Sequence, residues 1–341
     1  MKIFRLFCLF IFLSFIFSAC SLNNLLDPID YPPSSSKLKG PKQADLATQP
    51  FTLTKIVDFP FRSSVRQFGS RYLLSGYAGQ EARYALVEAG SITEIASKPL
   101  RELFLNQAGG IWGITVNGTQ ETVSQFVNGR WQDYAVLLDD GYFYGVVDIK
   151  PTEFRFATSK GTMVWDVPQK TVKQIITAER ARFLTKNYSI GLDGENITVF
   201  DNQAQNLLAS WELRDYVSIK KGISNDIWGA FEDDQRNLWM VVKDGNWDGV
   251  LLKYDGSTLR KLSLIPVGYY DSGRYVSNFN TDNKGNLWLN VDGTNYIYTK
   301  AGQWILPQFG SIKNNYQPRV FSDGQGNLTL TESSALYSID Q

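Results

Sequence analysis

The sequence predicts an all-β protein assembled from seven similar four-stranded units closed into a ring, and three observations carry that expectation. Past Phe51, short runs such as RYLLSGY, GIWGITV, EFRFATS, NITVFD, NLWMVV, NLWLNV and NLTLTE are rich in β-branched and aromatic residues. Gly, Asp and Asn punctuate them, the pattern of strands joined by turns. Second, the strongest run of each unit recurs, at Tyr72, Trp112, Phe154, Tyr188, Leu238, Leu287 and Leu328, at intervals of 34 to 50 residues. That spacing suits a four-stranded blade. Third, the last unit has room for three strands only, whereas FTLTKIVDF (51–59) is a strand with no place in the first unit. A spare strand at one end and a vacancy at the other predict a seven-bladed β-propeller closed by its N-terminal strand. An orthogonal barrel or sandwich is the alternative.

The elements follow in chain order. Residues 1–19 carry Lys2 and Arg5 and then an apolar run from Leu6 to Phe17. This is shorter than the roughly twenty residues that span a bilayer, so the segment is expected to be an export signal. The stretch Ser18-Ala19-Cys20 at its end resembles the bacterial lipoprotein signal, with Phe17 where that family usually has Leu. The resemblance implies that Cys20 is acylated and becomes the mature N-terminus. An ordinary signal peptide with a chance cysteine, or an uncleaved anchor, is the alternative. The other cysteine, Cys8, lies inside the signal, which leaves Cys20 without a disulfide partner. Ser21 follows the cysteine rather than Asp, which in Gram-negative lipoproteins of this kind favours the outer membrane.

Residues 20–50 are rich in Pro, Ser, Lys and Asp without a sustained apolar period, the composition of a flexible tether. Residues 51–341 form the propeller domain. Loss of the signal removes Lys2 and Arg5 and no acid, so the mature chain carries two more acids than bases. That balance offers no footprint for nucleic acid.

Within the domain, Asn128-Gly129, Asp193-Gly194, Asp255-Gly256 and Asp292-Gly293 suit tight hairpins, because these residues tolerate positive φ. The longest steps contain insertions at Trp211–Asn225 and Pro266–Arg274. Two units, NDIWGAFEDDQRNLWMVVKDGNWDGVLLKYDG and VSNFNTDNKGNLWLNVDGTNYIYTKAGQW, resemble the two-component regulator propeller repeats of periplasmic sensor domains. Asn225, Ile227, Glu232-Asp233, Leu238-Trp239 and Tyr254 carry the likeness in one; Asp282, Gly285-Asn286-Leu287-Trp288 and Tyr298 carry it in the other. The family's Gly-Thr after the second strand is replaced by Val242-Lys243 and Val291-Asp292. With no spanning helix or kinase following in this sequence, the resemblance implies the fold and not a sensor-kinase role.

The sequence contains no histidine. This excludes Ser-His-Asp and Cys-His catalysis and His-ligated metals. Acidic pairs at Asp139-Asp140, Glu232-Asp233 and Asp244/Asp248 are candidates for glycosidase chemistry, but adjacent strand residues point to opposite faces and Asp before a turn caps backbone groups. The stretch Asp282–Asn286 lacks the ligand spacing of a calcium loop. No enzymatic activity, cofactor or metal is therefore expected. Trp112, Trp239 and Trp288 are read as packing between blades.

Ligand contacts are expected instead on the rim formed by the hairpins between second and third strands and the connections between blades. There the sequence gathers Tyr142, Tyr144, Arg214, Tyr216, Trp247, Tyr269, Tyr270, Asp271, Arg274, Tyr316 and Arg319, types that dominate binding hot spots. The functional expectation is a membrane-anchored envelope lipoprotein whose propeller is a binding or scaffold module for a protein, peptide or glycan. A carboxylate-dependent enzyme acting on polysaccharide and an outer-membrane assembly factor are the alternatives.

Overall fold

Strands that are apolar on both faces alternate with Gly, Asn and Asp turns along the chain, and each group of four pairs with itself before the chain moves on. In the computed structural model the described residues are 39–59, 62–78, 81–139, 141–176, 181–193, 195–201, 206–219, 225–267, 276–312, 318–323, 326–332 and 335–340. The signal, Cys20 and the first part of the tether lie outside them, as do Tyr269, Tyr270, Asp271, Arg274 and Tyr316.

The fold is a seven-bladed β-propeller. Six blades are sequential antiparallel sheets, at 62–95, 100–138, 143–176, 181–212, 226–264 and 276–308, numbered one to six here. Blade seven joins Arg319–Ser322, Leu328–Glu332 and Ala335–Asp340 to the N-terminal strand Thr52–Asp58, which pairs antiparallel with the last of these (Leu53 opposite Ile339). The ring therefore closes as the spare strand requires. All seven marker residues fall in the second strand of their blade.

The sheets pack face to face, as the residue types demand: a strand buried on both sides must be apolar on both sides. Leu238–Lys243 and Leu287–Val291 are buried along their whole length. One apolar cluster joins Ile190, Val199, Leu238, Met240 and Leu252 of blades four and five. Another joins Trp239, Val241, Leu287, Leu289 and Tyr296 of blades five and six. Trp288 meets Phe51 and Phe309 where blade six meets the closing segment, with ring centroids 5.1 and 6.4 Å away. These indoles pack between blades, as read from the sequence.

The repeated Asp-x-x-x-Asn-Leu-Trp stretch has a specific job. In blade six, Asp282 Oδ1 accepts the N–H groups of Lys284 (3.0 Å) and Asn286 (2.8 Å), while Oδ2 accepts Asn286 Nδ2 (2.9 Å) and Trp288 Nε1 (3.1 Å). Asp233 binds Gln235, Asn237 and Trp239 the same way in blade five. One carboxylate thus shapes the turn between the first two strands and orients the indole that packs on the neighbour. In blade seven Asp323 holds Asn327 the same way, and Thr329 stands where the indole would be. Glu232, adjacent to the blade-five aspartate, reaches sideways and accepts bonds from Thr185 Oγ1 (2.7 Å) and Asn187 N (2.8 Å) in blade four. Both acids of the pair are thereby engaged in turn structure.

The tether expected to run to residue 50 is laid on the propeller over its last part. Asp248, fully buried in the blade-five hairpin, accepts the backbone N–H groups of Lys39 (2.9 Å) and Gly40 (3.2 Å). Val267 N–H donates to the Pro41 carbonyl at 2.9 Å, and Leu46 packs on the blade-five and blade-six cluster. Ala47–Pro50 then pairs in parallel with 305–308 as a fifth strand of blade six. A coil-like composition is overridden here by backbone pairing with a strand more than two hundred residues away.

Candidate functional site

Hairpins between second and third strands share one face of the ring with the connections between blades. Ser159, in the blade-three hairpin, accepts the Tyr142 N–H on its Oγ (3.0 Å) and donates its own N–H to the Tyr142 carbonyl (2.8 Å). Gly245 N–H in the blade-five hairpin donates to the Ser218 carbonyl at 2.6 Å. Asn295 Nδ2 in blade six reaches the Pro318 carbonyl at 2.8 Å. Each bond ties a hairpin to the neighbouring connection, so the rim segments lie together.

The described rim residues divide by environment. Tyr142 and Tyr144 are 69% and 64% exposed, although the backbone beneath Tyr142 is pinned from both sides by Ser159. Gly141 makes that pinning possible: its φ is +132°, and a Cβ would lie 2.5 Å from Ser159 Oγ. Arg214 sits in a short 3-10 turn and pairs with Glu212 (2.9 Å) and Glu195 (3.3 Å) at the surface. Tyr216 packs against the cluster between blades four and five, and burial, with Asp215 beside it, raises its phenol pKa. Trp247 adopts φ +66° and lies 4.0 Å from the ammonium of Lys243, whose pKa burial lowers. The indole is thus a lid over a buried cation. Arg319 lines the central cavity, at the start of the first strand of blade seven.

That cavity has a volume of about 730 Å³ and opens between blades one and two onto the first strands of blades five, six and seven. Arg66, Arg101, Glu102 and Arg319 supply its charge; Phe68, Phe231, Phe279 and Phe321 supply apolar wall. Arg66 is bonded to Glu102, and Arg101 Nε to Glu121 Oε1 at 2.7 Å. Burial raises the pKa of both glutamates, opposed by the arginine beside each. Phe231 and Phe279 stack at 11° with centroids 6.4 Å apart. Asn278 beside them has φ +52°, at an irregularity in the pairing of the first two strands of blade six. Such bulges re-aim neighbouring side chains.

Reading by turns and loops missed this lining except for Arg319. Its signal was nonetheless present: SSVRQF and LRELFL carry charges inside runs that otherwise read as buried strands. Among the described residues no group of three or more His, Cys, Asp or Glu is placed to hold a metal, and no helix is long and apolar enough to cross a membrane.

No family model and no curated protein sequence matches the chain. Solved structures do. The extracellular domain of a hybrid two-component system from B. thetaiotaomicron aligns with a TM-score of 0.55 at 11% identity, over 87% of this chain and 43% of that one. PorZ, a bacterial surface component of the type-IX secretion system of Porphyromonas gingivalis, aligns with a TM-score of 0.52 at 13% identity, over 81% and 46%. Hsv2 of Kluyvelomyces marxianus aligns with a TM-score of 0.53 at 10% identity, over 81% and 90%. The chain spans less than half the length of the two bacterial structures. At these identities the likeness is one of fold, and it agrees with the resemblance of blades five and six to regulator propeller repeats.

Proposed function

We propose that the protein is a lipid-anchored envelope protein whose propeller is a binding or scaffold module, presenting its rim to a protein, peptide or glycan. The observation that carries this is the pair Tyr142 and Tyr144: two aromatics in solvent, the first on backbone held by two hydrogen bonds to Ser159. Aromatic side chains have few rotatable bonds, so they lose little conformational entropy on being covered and gain much apolar contact. The structural likeness to an extracellular sensor domain and to a surface component of a secretion system supports an envelope setting. Anchoring would come from acylated Cys20, at the outer membrane if the source is Gram-negative. A hydrolytic reading needs two carboxylates facing one substrate. Glu102, the carboxylate among the described cavity-lining residues, is bonded to Arg66, which supports binding over catalysis.

Photo-crosslinkable residues at positions 142 and 144 in intact cells should trap the partner, and the same label on the outer strand at Lys173 should not. Equal capture from both positions would defeat the rim assignment. Tyr142→Ala with Tyr144→Ala should reduce capture at least about tenfold, as expected of hot-spot aromatics, with the melting temperature unchanged. Separately, Cys20→Ala should release the protein from the membrane fraction; tight membrane association of the cleaved variant would refute lipid anchoring.

A further inference from the structure

We propose that the central cavity is a binding site for a small organic anion, a carboxylate carried on an apolar body. The argument begins with how the two ion pairs are turned. In Arg66–Glu102 the arginine side chain is 43% exposed and the glutamate 14%; in Arg101–Glu121 the values are 45% and 3%. Each pair sinks its anion in the wall and leaves its cation toward the open space. Among the described residues the cavity wall presents the guanidinium groups of Arg66, Arg101 and Arg319 and, of the two paired carboxylates, the recessed Glu102.

The bonding leaves capacity for a ligand. Arg101 meets Glu121 through Nε, so this bond does not occupy the end-on Nη1/Nη2 edge, which can also take a carboxylate bidentately. In a partly enclosed space of low effective dielectric, positive groups facing inward raise the local concentration of anions.

The apolar body follows from the rest of the wall. Phe68, Leu73, Leu103 and Phe321 line the same cavity as the stacked Phe231–Phe279 pair. Phe279 rests directly over Gly229, where a Cβ would lie 2.5 Å from the ring, so the aromatic wall is set by backbone contact. Asn280 is committed to the frame: its Nδ2 donates to the Val320 carbonyl (2.8 Å) and its Oδ1 accepts the Ser322 N–H (3.0 Å), fixing blade six to blade seven behind the site. At about 730 Å³ the cavity falls within the range of small-ligand sites.

This site is independent of the rim assignment, since it uses neither Tyr142 nor Tyr144. The test is ligand-observed NMR and calorimetry on the soluble Cys20→Ala protein with phenylacetate, 3-phenylpropionate and indole-3-acetate, each beside its neutral amide, and with sulfate. The expected result is binding of at least one carboxylate, weakening with added NaCl, with its amide and sulfate at least about tenfold weaker, the scale of one lost charged hydrogen-bonded contact. Arg319→Gln and Arg101→Lys should each weaken that carboxylate by about the same factor. Arg101→Lys retains a charge for Glu121 and guards against a folding defect, while the melting temperature reports on both variants. Absence of binding by every carboxylate, equal binding of acid and amide, sulfate as tight as the acids, or unchanged affinity in both folded variants would overturn the proposal. Tyr142→Ala with Tyr144→Ala should leave this binding intact, which separates its failure from that of the rim.

Discussion

A variant that begins at Phe59 should lose cooperative thermal unfolding. It lacks Thr52–Asp58, the outer strand of blade seven, and so leaves unpaired those N–H and C=O groups of Ala335–Asp340 that face away from Leu328–Glu332. It also lacks Phe51, which packs 5.1 Å from the Trp288 ring. The loss is comparable to the whole stability of a domain, about 5–15 kcal/mol. A variant beginning at Phe51 keeps the closing strand but gives up the Lys39 and Gly40 donors to buried Asp248 and the fifth strand of blade six. It should fold and be less stable by about 3 kcal/mol, the scale of charged hydrogen bonds left unmade. One beginning at Lys39 should match the full chain. Circular dichroism melts of the three decide the matter, and a sharp transition in the Phe59 variant would show that the ring does not depend on its N-terminal strand.

Asp282→Ala should cost about 3 kcal/mol in urea unfolding, since the buried carboxylate serves two backbone N–H groups, one amide and one indole, and removal strands donors that water reaches poorly. Asp323→Ala, at the equivalent place in blade seven, should cost about 1 kcal/mol, because the Asn327 bonds are exposed and no indole is held. Equal losses in the two variants would mean that the Trp288 Nε1 bond contributes nothing. Asp282→Asn should fall between, retaining one good acceptor while placing an amide beside two donors.

Both expectations depend on features that the amino-acid order exposes to different degrees. The blades were legible because their signal is local: a polar turn and then a strong apolar strand in every unit, sharpened in blades five and six to Asp, then Asn four residues on, then an indole two residues after that. The closing strand was legible from the mismatch between chain ends. Residues 39–50 were not, because their Pro- and Lys-rich composition describes a coil, and only pairing of Ala47–Pro50 with 305–308 makes a strand of them. Of the rim, the common face could be inferred from connectivity, but not which aromatics stay free. Tyr142 and Trp247 look alike as loop residues, and only the position of Lys243 draws the indole down as a lid while the Tyr142 ring stays exposed. The cavity lay hidden because first strands vary from blade to blade, so nothing repeats to mark it.

Residues 39–50 also change how the molecule responds to load. The chain that enters at Lys39 and the strand that shuts the ring are consecutive, so any pull on the N-terminal segment reaches Thr52–Asp58 last. It must first strip two N–H groups from the Asp248 carboxylate, then the Pro41–Val267 bond, then the parallel ladder on blade six. Those contacts stand in series ahead of the closing strand, so load arriving along residues 39–50 would be borne by them before it reached the ring.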